Sequence, residues 1–409
     1  MRRHPCPANG SGPVSADTAT ARPDLGAGLR RVLVVLCTTE IISWGVLYYA
    51  FPVLLPTMSA RTGWSLAAIT AGFSASQVVA GLVGIPVGGL LDRHGPRAVM
   101  TTGSVIAVLA LVALASAKSL VWFTAAWLLA GVAMAGVFYA PAFAALTRWY
   151  GSRRVTALTA LTLVAGLAST VFAPLAAVLN DRLDWRGTYL VLAAFLAVTT
   201  IPLHLWGLRL PWPAIEHETV HTPSAVARSR PFLVLVVAMS LAAFSVYAVV
   251  INLVPLLTER GMTTSGAAVA LGLGGVGQVL GRLGYARLVA RTSVRARTLA
   301  VLLVSAAVTI LLGLVPGPAL LLITGSVLAG VTRGIFTLVQ ATAITDRWGA
   351  VHYGQLNGLL TAPVMLTAAV APWAGSALAA ALGGFPAVFV VLGLIGVLAA
   401  ALSTASVPR

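Results

Sequence analysis

The chain has 409 residues, 59% of them hydrophobic and only 9% charged. Soluble domains carry about 25% charged residues, so 26 basic and 10 acidic residues cannot clothe a chain of this length in water. That excludes a soluble multidomain enzyme and a disordered chain, and leaves a protein that lies mostly in lipid. The formal net charge is +16, and 25 of the 26 basic residues are arginine, Lys118 being the exception. In a soluble protein such an excess would point to nucleic acid. In a membrane protein it marks one side of the bilayer, and no nucleic-acid partner is expected. Cys6 and Cys37 form neither a disulfide framework nor a metal pattern.

Residues 1–30, rich in Pro, Gly, Ser and Ala, read as a disordered cytoplasmic tail without the apolar core of a signal peptide. Apolar runs then occur at 32–56, 66–91, 98–117, 120–146, 155–179 and 187–208. After a polar stretch they resume at 231–257, 266–289, 298–315, 319–344, 353–380 and 384–403. Each is long enough to cross about 30 Å of hydrocarbon as a helix. The fold class expected is an all-α integral membrane protein with twelve transmembrane helices. The domains expected are the tail 1–30, a six-helix half 31–208, a cytoplasmic linker 209–230 and a second six-helix half 231–404.

Nineteen basic residues fall in segments on the side of the N-terminus. Five lie on the other side (Arg61, Lys118, Arg182, Arg186, Arg260), and Arg282 and Arg333 fall inside apolar runs. The bias puts both termini in the cytoplasm and the chain in the cytoplasmic membrane. The two halves repeat at an offset of 199 to 201. Pro56 matches Pro255, Gln77 matches Gln278, Ala130-Gly131-Val132 matches Ala329-Gly330-Val331, and Arg148-Trp149 matches Arg347-Trp348. Repeated halves joined by a cytoplasmic loop point to a transporter with its site between them.

Three ionisable residues sit in the wrong solvent. Each costs about 2.5–3.5 kcal/mol at mid-bilayer and is a functional candidate by default. Arg282 lies about 13 Å from the loop residue Arg291, Arg333 about 20 Å from Asp346 and Glu40 about 13 Å from Arg31, at 1.5 Å per residue. Arg282 either captures an anion with its guanidinium fork or snorkels to the interface beside Arg287. Arg333 either binds substrate or pairs with Glu40. Glu40 is a proton-coupling carboxyl, a partner for an arginine, or a satisfied polar residue. Glu40, Trp44, Tyr48 and Phe51 recur at helical spacing and make one face of the first helix polar and aromatic. Tyr48, Tyr139, Asn252 and Gln278 are further candidates for the cavity wall, together with Gln77, Tyr247, Gln340 and Asn357.

Gly88-Gly89-Leu90-Leu91-Asp92-Arg93-His94-Gly95-Pro96-Arg97, at the end of the second run, resembles the loop 2–3 signature of the major facilitator superfamily. The resemblance implies a gating role for Asp92, Arg93 and Arg97. The second half carries a degenerate copy with Ala290 in the place of Asp92, so a second latch there is expected to lack its acid. Trp44 to Phe51 and Gly281-Arg282 are similar to bacterial relatives of the monocarboxylate porters. That likeness implies that Arg282 binds a substrate carboxylate. Where that branch often has an acid one turn earlier, this chain has Gln278. The function expected is therefore secondary transport of a small organic anion, a monocarboxylate, by alternating access. The alternative is proton-driven export of hydrophobic compounds. No P-loop occurs, and neither paired carboxylates nor a nucleophile and base at useful spacing point to an enzyme. No cofactor and no metal are expected, His204, His217, His221 and His352 reading as interfacial. The partners expected are the small anionic substrate and membrane lipid, with the chain a monomer.

Overall fold

The structure is a computed structural model and describes residues 25–213 and 223–408. Its helices line up as twelve rods. Rod α1 runs through Leu25–Trp44, a π-helical turn Gly45–Tyr49 and Ala50–Thr62. Leu66–Ala115 is broken at Gly95 into α2 (66–94) and α3 (96–115). Rod α4 is Leu120–Val137 continued by Tyr139–Tyr150. Rod α5 is Arg154–Ala165 continued over 168–183, and α6 runs from 185 through the π-helical turn Leu203–Gly207. In the second half α7 is Arg230–Glu259, α8 Thr264–Arg291 and α9 Val294–Leu314. Then come α10, Ala319–Thr342, α11, Tyr353–Leu382, and α12, Phe385–Ser403.

Local chemistry sets the boundaries. Ser65, Ser119, Ser229, Thr263 and Ser293 each accept a backbone N–H three residues on, so they start α2, α4, α7, α8 and α9. Gly95 takes φ 75°, a conformation that side chains disfavour, and Pro96 opens α3 behind it. Asp184, at φ 61°, parts α5 from α6, and its carboxylate accepts the N–H groups of Arg186 and Gly187. Rod α8 is the least apolar because glycines and Arg282 dilute it. Its 28 residues still reach about 42 Å, more than a bilayer core needs.

The start of the first half departs from expectation. Helix begins at Leu25, so residues 25–30, expected from composition to be tail, are helical. The Tyr150 hydroxyl donates to the Leu29 carbonyl at 2.9 Å and ties this turn to α4. Residues 1–24 and residues 214–222 of the central linker lie outside the described residues.

Close backbone crossings hold the rods. A Cβ on Gly131 would stand 2.3 Å from the Ser76 carbonyl oxygen, where α4 crosses α2. Its repeat partner Gly330 would meet the Gly274 carbonyl at 1.8 Å, where α10 crosses α8. The repeated glycine thus does one job in both halves, which is to let backbones touch in a medium where the hydrophobic effect does not drive helices together. Buried apolar side chains form three clusters. At the end of the bundle that carries both described termini, one core joins the halves, from Leu36 and Leu91 to Phe232 and Leu356. Towards the opposite end there are two separate cores, one around Trp127 and Trp185 and one around Leu256 and Phe389. The halves are fused at the terminal end and divided at the other, which leaves a cleft between them.

Candidate functional site

Where this cleft ends, three rods of the first half depart from regular α-helix. Rod α1 carries its π turn at Gly45–Tyr49. A Cβ on Gly45 would stand 2.2 Å from the Phe172 ring of α5, so glycine lets the rods close there. Rod α4 breaks at Phe138, whose ψ of −169° is extended. Pro141 has no N–H to offer the carbonyl of Val137, and its ring crowds that carbonyl. Rod α5 is interrupted at Gly166 and Leu167. Irregular backbone inside a membrane is tolerated where it is buried in protein or lines a cavity.

Two arginines of the second half face these breaks. Arg282 is 4% exposed, and its Nη1 donates to the Thr162 carbonyl of α5 at 2.6 Å. It therefore spans the interface between the halves and does not snorkel. A Cβ on Gly166 would come within 2.9 Å of the same nitrogen, so Gly166 makes room for the guanidinium. Arg333 donates from Nη2 to Gln278 Oε1 at 2.8 Å. The buried Nε of each arginine has no hydrogen-bond partner among the described residues. Tyr49 and Tyr247 lie within electrostatic reach of both arginines, and Tyr139 within reach of Arg282. Tyr247 leaves 43% of its surface open, although it stands beside both guanidinium groups, so that surface belongs to the cleft.

Glu40 is fully buried. Its Oε2 accepts the Trp44 indole N–H at 3.1 Å, and its Oε1 has no partner among the described residues. Trp44 stacks on Phe138 at 4.0 Å and leans on Tyr139 at 5.0 Å between ring centres. Tyr139 lies within electrostatic reach of Glu40 as well as Arg282. No Glu40–Arg333 pair forms. The ion pairs among the described residues are those of Asp346 with Arg154 and Arg297.

The remaining candidates divide. Tyr139 and Gln278 join the arginines. Tyr48 packs against Trp44 and Phe73, at 5.4 and 5.3 Å, and neither arginine is among its electrostatic neighbours. Helical spacing put Tyr48 on the Glu40 face. The π turn inserts one extra residue and rotates the rest of the rod, so Tyr49 takes the place by the arginines. Spacing alone carried no signal for it. Asn252 is buried, donates to the Ala248 carbonyl at 2.8 Å and presses on Gly375 of α11. It joins α7 to α11, and neither arginine is among its hydrogen-bond partners.

The terminal end is latched. The carboxylate of Asp92 accepts the N–H groups of Gly354 at 3.1 Å and Gln355 at 2.8 Å, in the first turn of α11. A negative charge at a helix N-terminus is favourable both to the dipole and to the free N–H groups. Arg148 bridges the same seam, from the Asp92 carbonyl at 3.2 Å to the Val351 carbonyl at 3.3 Å. The other two gating candidates behave differently from Asp92. Arg97 donates to Leu205 O at 2.8 Å, within its own half, and Arg93 is exposed with no ion pair or hydrogen bond among the described residues. The second latch does have an acid. Asp346, in the short helical turn Thr345–Trp348 that follows α10, pairs with Arg154 of the first half at 3.2 Å and with Arg297. The acid moves from the loop after α8 to the turn after α10, which inspection of the loop copy alone could not reveal.

The sequence profile of the Major Facilitator Superfamily matches residues 36–323 and 233–409. A Rattus norvegicus protein named Monocarboxylate transporter 13 is 29% identical over 357 residues, 84% of this chain and 74% of that protein. A Mus musculus protein named Monocarboxylate transporter 11 is 30% identical over 291 residues, 69% of this chain and 59% of that one. Two crystal structures of the fucose:proton symporter FucP, one of them described as outward, superpose with a TM-score of 0.73 at 15% and 16% identity. They cover 92% and 93% of this chain and 98% and 100% of theirs, and they bear on the fold alone. Twelve rods in two repeated halves, a latched terminal end and the profile match together make this chain a multi-pass membrane transporter, not an enzyme, that belongs to the major facilitator superfamily and resembles its monocarboxylate transporters.

Proposed function

We propose that the chain is a secondary transporter that carries a small organic anion across the cell membrane by alternating access. The observation that carries this reading is the pair of arginines in the cleft, each with a buried Nε–H free and neither with an acidic partner among the described residues. Guanidinium groups keep their charge in any protein, so they call for an anion. Arg282 is the first anchor of the carboxylate, Arg333 a second cation, and the phenols of Tyr49, Tyr139 and Tyr247 are neutral donors around them. Glu40, buried with no ionic partner, is the proton carrier. The terminal end is the cytoplasmic one, because the loops there hold most of the arginines, and the latched structure is the outward-facing state. The protein works as a monomer among membrane lipids.

Thermal unfolding of the detergent-purified protein with small acids and their amides tests this. A bound acid at one hundred times its Kd stabilises by about 2.7 kcal/mol. An acid should raise the melting temperature where its amide does not, and Arg282→Ala should remove the effect while leaving the protein folded. Stabilisation by neutral lipophilic compounds and by no acid would replace this reading with that of a hydrophobic-compound exporter.

A further inference from the structure

We infer that the transported anion carries two anionic groups, as a small dicarboxylate does, with one held by Arg282 and the other by Arg333. The inference rests on the anion site proposed above and concerns its charge. Arg282 and Arg333 lie within electrostatic reach of each other and share Tyr49 and Tyr247 as neighbours. The acceptor on Arg333 is the amide oxygen of Gln278, which satisfies a hydrogen bond and neutralises nothing. Of the 10 acidic residues, Glu40 alone falls inside an apolar run. Glu40 is an electrostatic neighbour of Tyr139 and of neither arginine. The cleft therefore holds two cations that repel each other. A monoanion leaves one of them uncompensated in a poorly solvated place, where an unpaired charge is costly.

A dianion removes the imbalance. With Glu40 protonated, two guanidinium charges and two carboxylates sum to zero, so the loaded site crosses the membrane without net charge. Arg333 also borders a small recess within the second half, beside Val250, Ser305 and Thr309. Each arginine also keeps a free Nε–H, the edge of the fork that a carboxylate grips.

The test compares oxalate, malonate, succinate and glutarate with their half-amides, by calorimetric titration of the purified full-length protein. One diacid should bind at least about tenfold more tightly than its half-amide, a gap of the size that one extra charged pair supplies. Gln278→Glu places the missing negative charge beside Arg333, and the ratio of diacid to half-amide affinity should collapse towards one. Arg333→Gln should do the same. Half-amides or simple monocarboxylates that bind as tightly as the diacids overturn the inference and leave the anion site standing. A diacid preference that survives both substitutions overturns it too. Failure of every acid, in a protein whose unperturbed melting curve shows it folded, overturns the anion site itself.

Discussion

Asp92 and Gly354 stand 262 residues apart and on opposite halves, yet the carboxylate of one accepts the N–H of the other at 3.1 Å. Asp92→Asn turns an amide N–H₂ towards one of the two backbone donors and removes the charge at the α11 N-terminus. The latched state should lose about 1–3 kcal/mol relative to the alternative state. Spin labels at Ser152 and Arg295, exposed on the terminal end, should report a longer distance between the halves. An unchanged distance distribution would remove Asp92 from the gate.

Gly354 makes a second demand on the same seam. A Cβ there would lie 2.5 Å from the Gly88 carbonyl oxygen and 2.9 Å from Asp92 Oδ1. Backbone cannot step aside as a side chain can, so Gly354→Ala should open the terminal end further than Asp92→Asn. The same label pair measures it. A smaller opening than in Asp92→Asn would show that the carboxylate, and not the close backbone approach, sets the closure.

At the second latch, stability and gating separate. Arg297 is 3% exposed and pairs with Asp346, whereas the Arg154 side chain is 27% exposed. Asp346→Asn strands a buried guanidinium and should cost about 3–5 kcal/mol in thermal unfolding. Arg154→Gln should cost no more than about 1 kcal/mol while loosening the contact between the halves. Equal losses for the two variants would contradict this division.

Gly166→Ala tests how Arg282 is placed. The new methyl group would meet Arg282 Nη1 at 2.9 Å, and the flexible guanidinium can move. The unliganded melting curve should shift by less than about 1 kcal/mol, while the stabilisation given by acids falls. Wild-type ligand response in this variant would mean that Arg282 binds without its contact to α5.

Glu40→Gln should leave acid binding and counterflow exchange in place and abolish uptake driven by an imposed pH gradient in proteoliposomes. The carboxamide keeps an oxygen for the Trp44 indole N–H but carries no exchangeable acid proton. Full pH-driven uptake in the variant would move coupling to another group.

Much of the architecture was legible in the chain. Apolar runs marked the rods, the near-constant offset exposed the duplication, and Gly131 and Gly330 do occupy matching crossings. Arg282, Arg333 and Glu40 stood out because charge in hydrocarbon is costly. The cleft wall was less legible. Tyr48 and Tyr49 exchange roles through a π turn that no hydrophobic period announces, and Asn252 turned out to face α11. The latch was half legible: Asp92 lay in a recognisable loop, but its partners are backbone N–H groups that carry no side-chain signature.

The sequence by itself determined what the solvent is, how many times the chain crosses it and which buried charges demand an explanation, because these depend on transfer energies and local spacing. Only the tertiary structure decided who answers those charges. Gln278 meets Arg333, Thr162 meets Arg282, Asp346 supplies the acid that Ala290 lacks, and Glu40 is left without a cation. Partnership across halves depends on how two six-helix bodies dock, and that is settled by glycine crossings and helix breaks acting together, far from any one residue's neighbours in the chain.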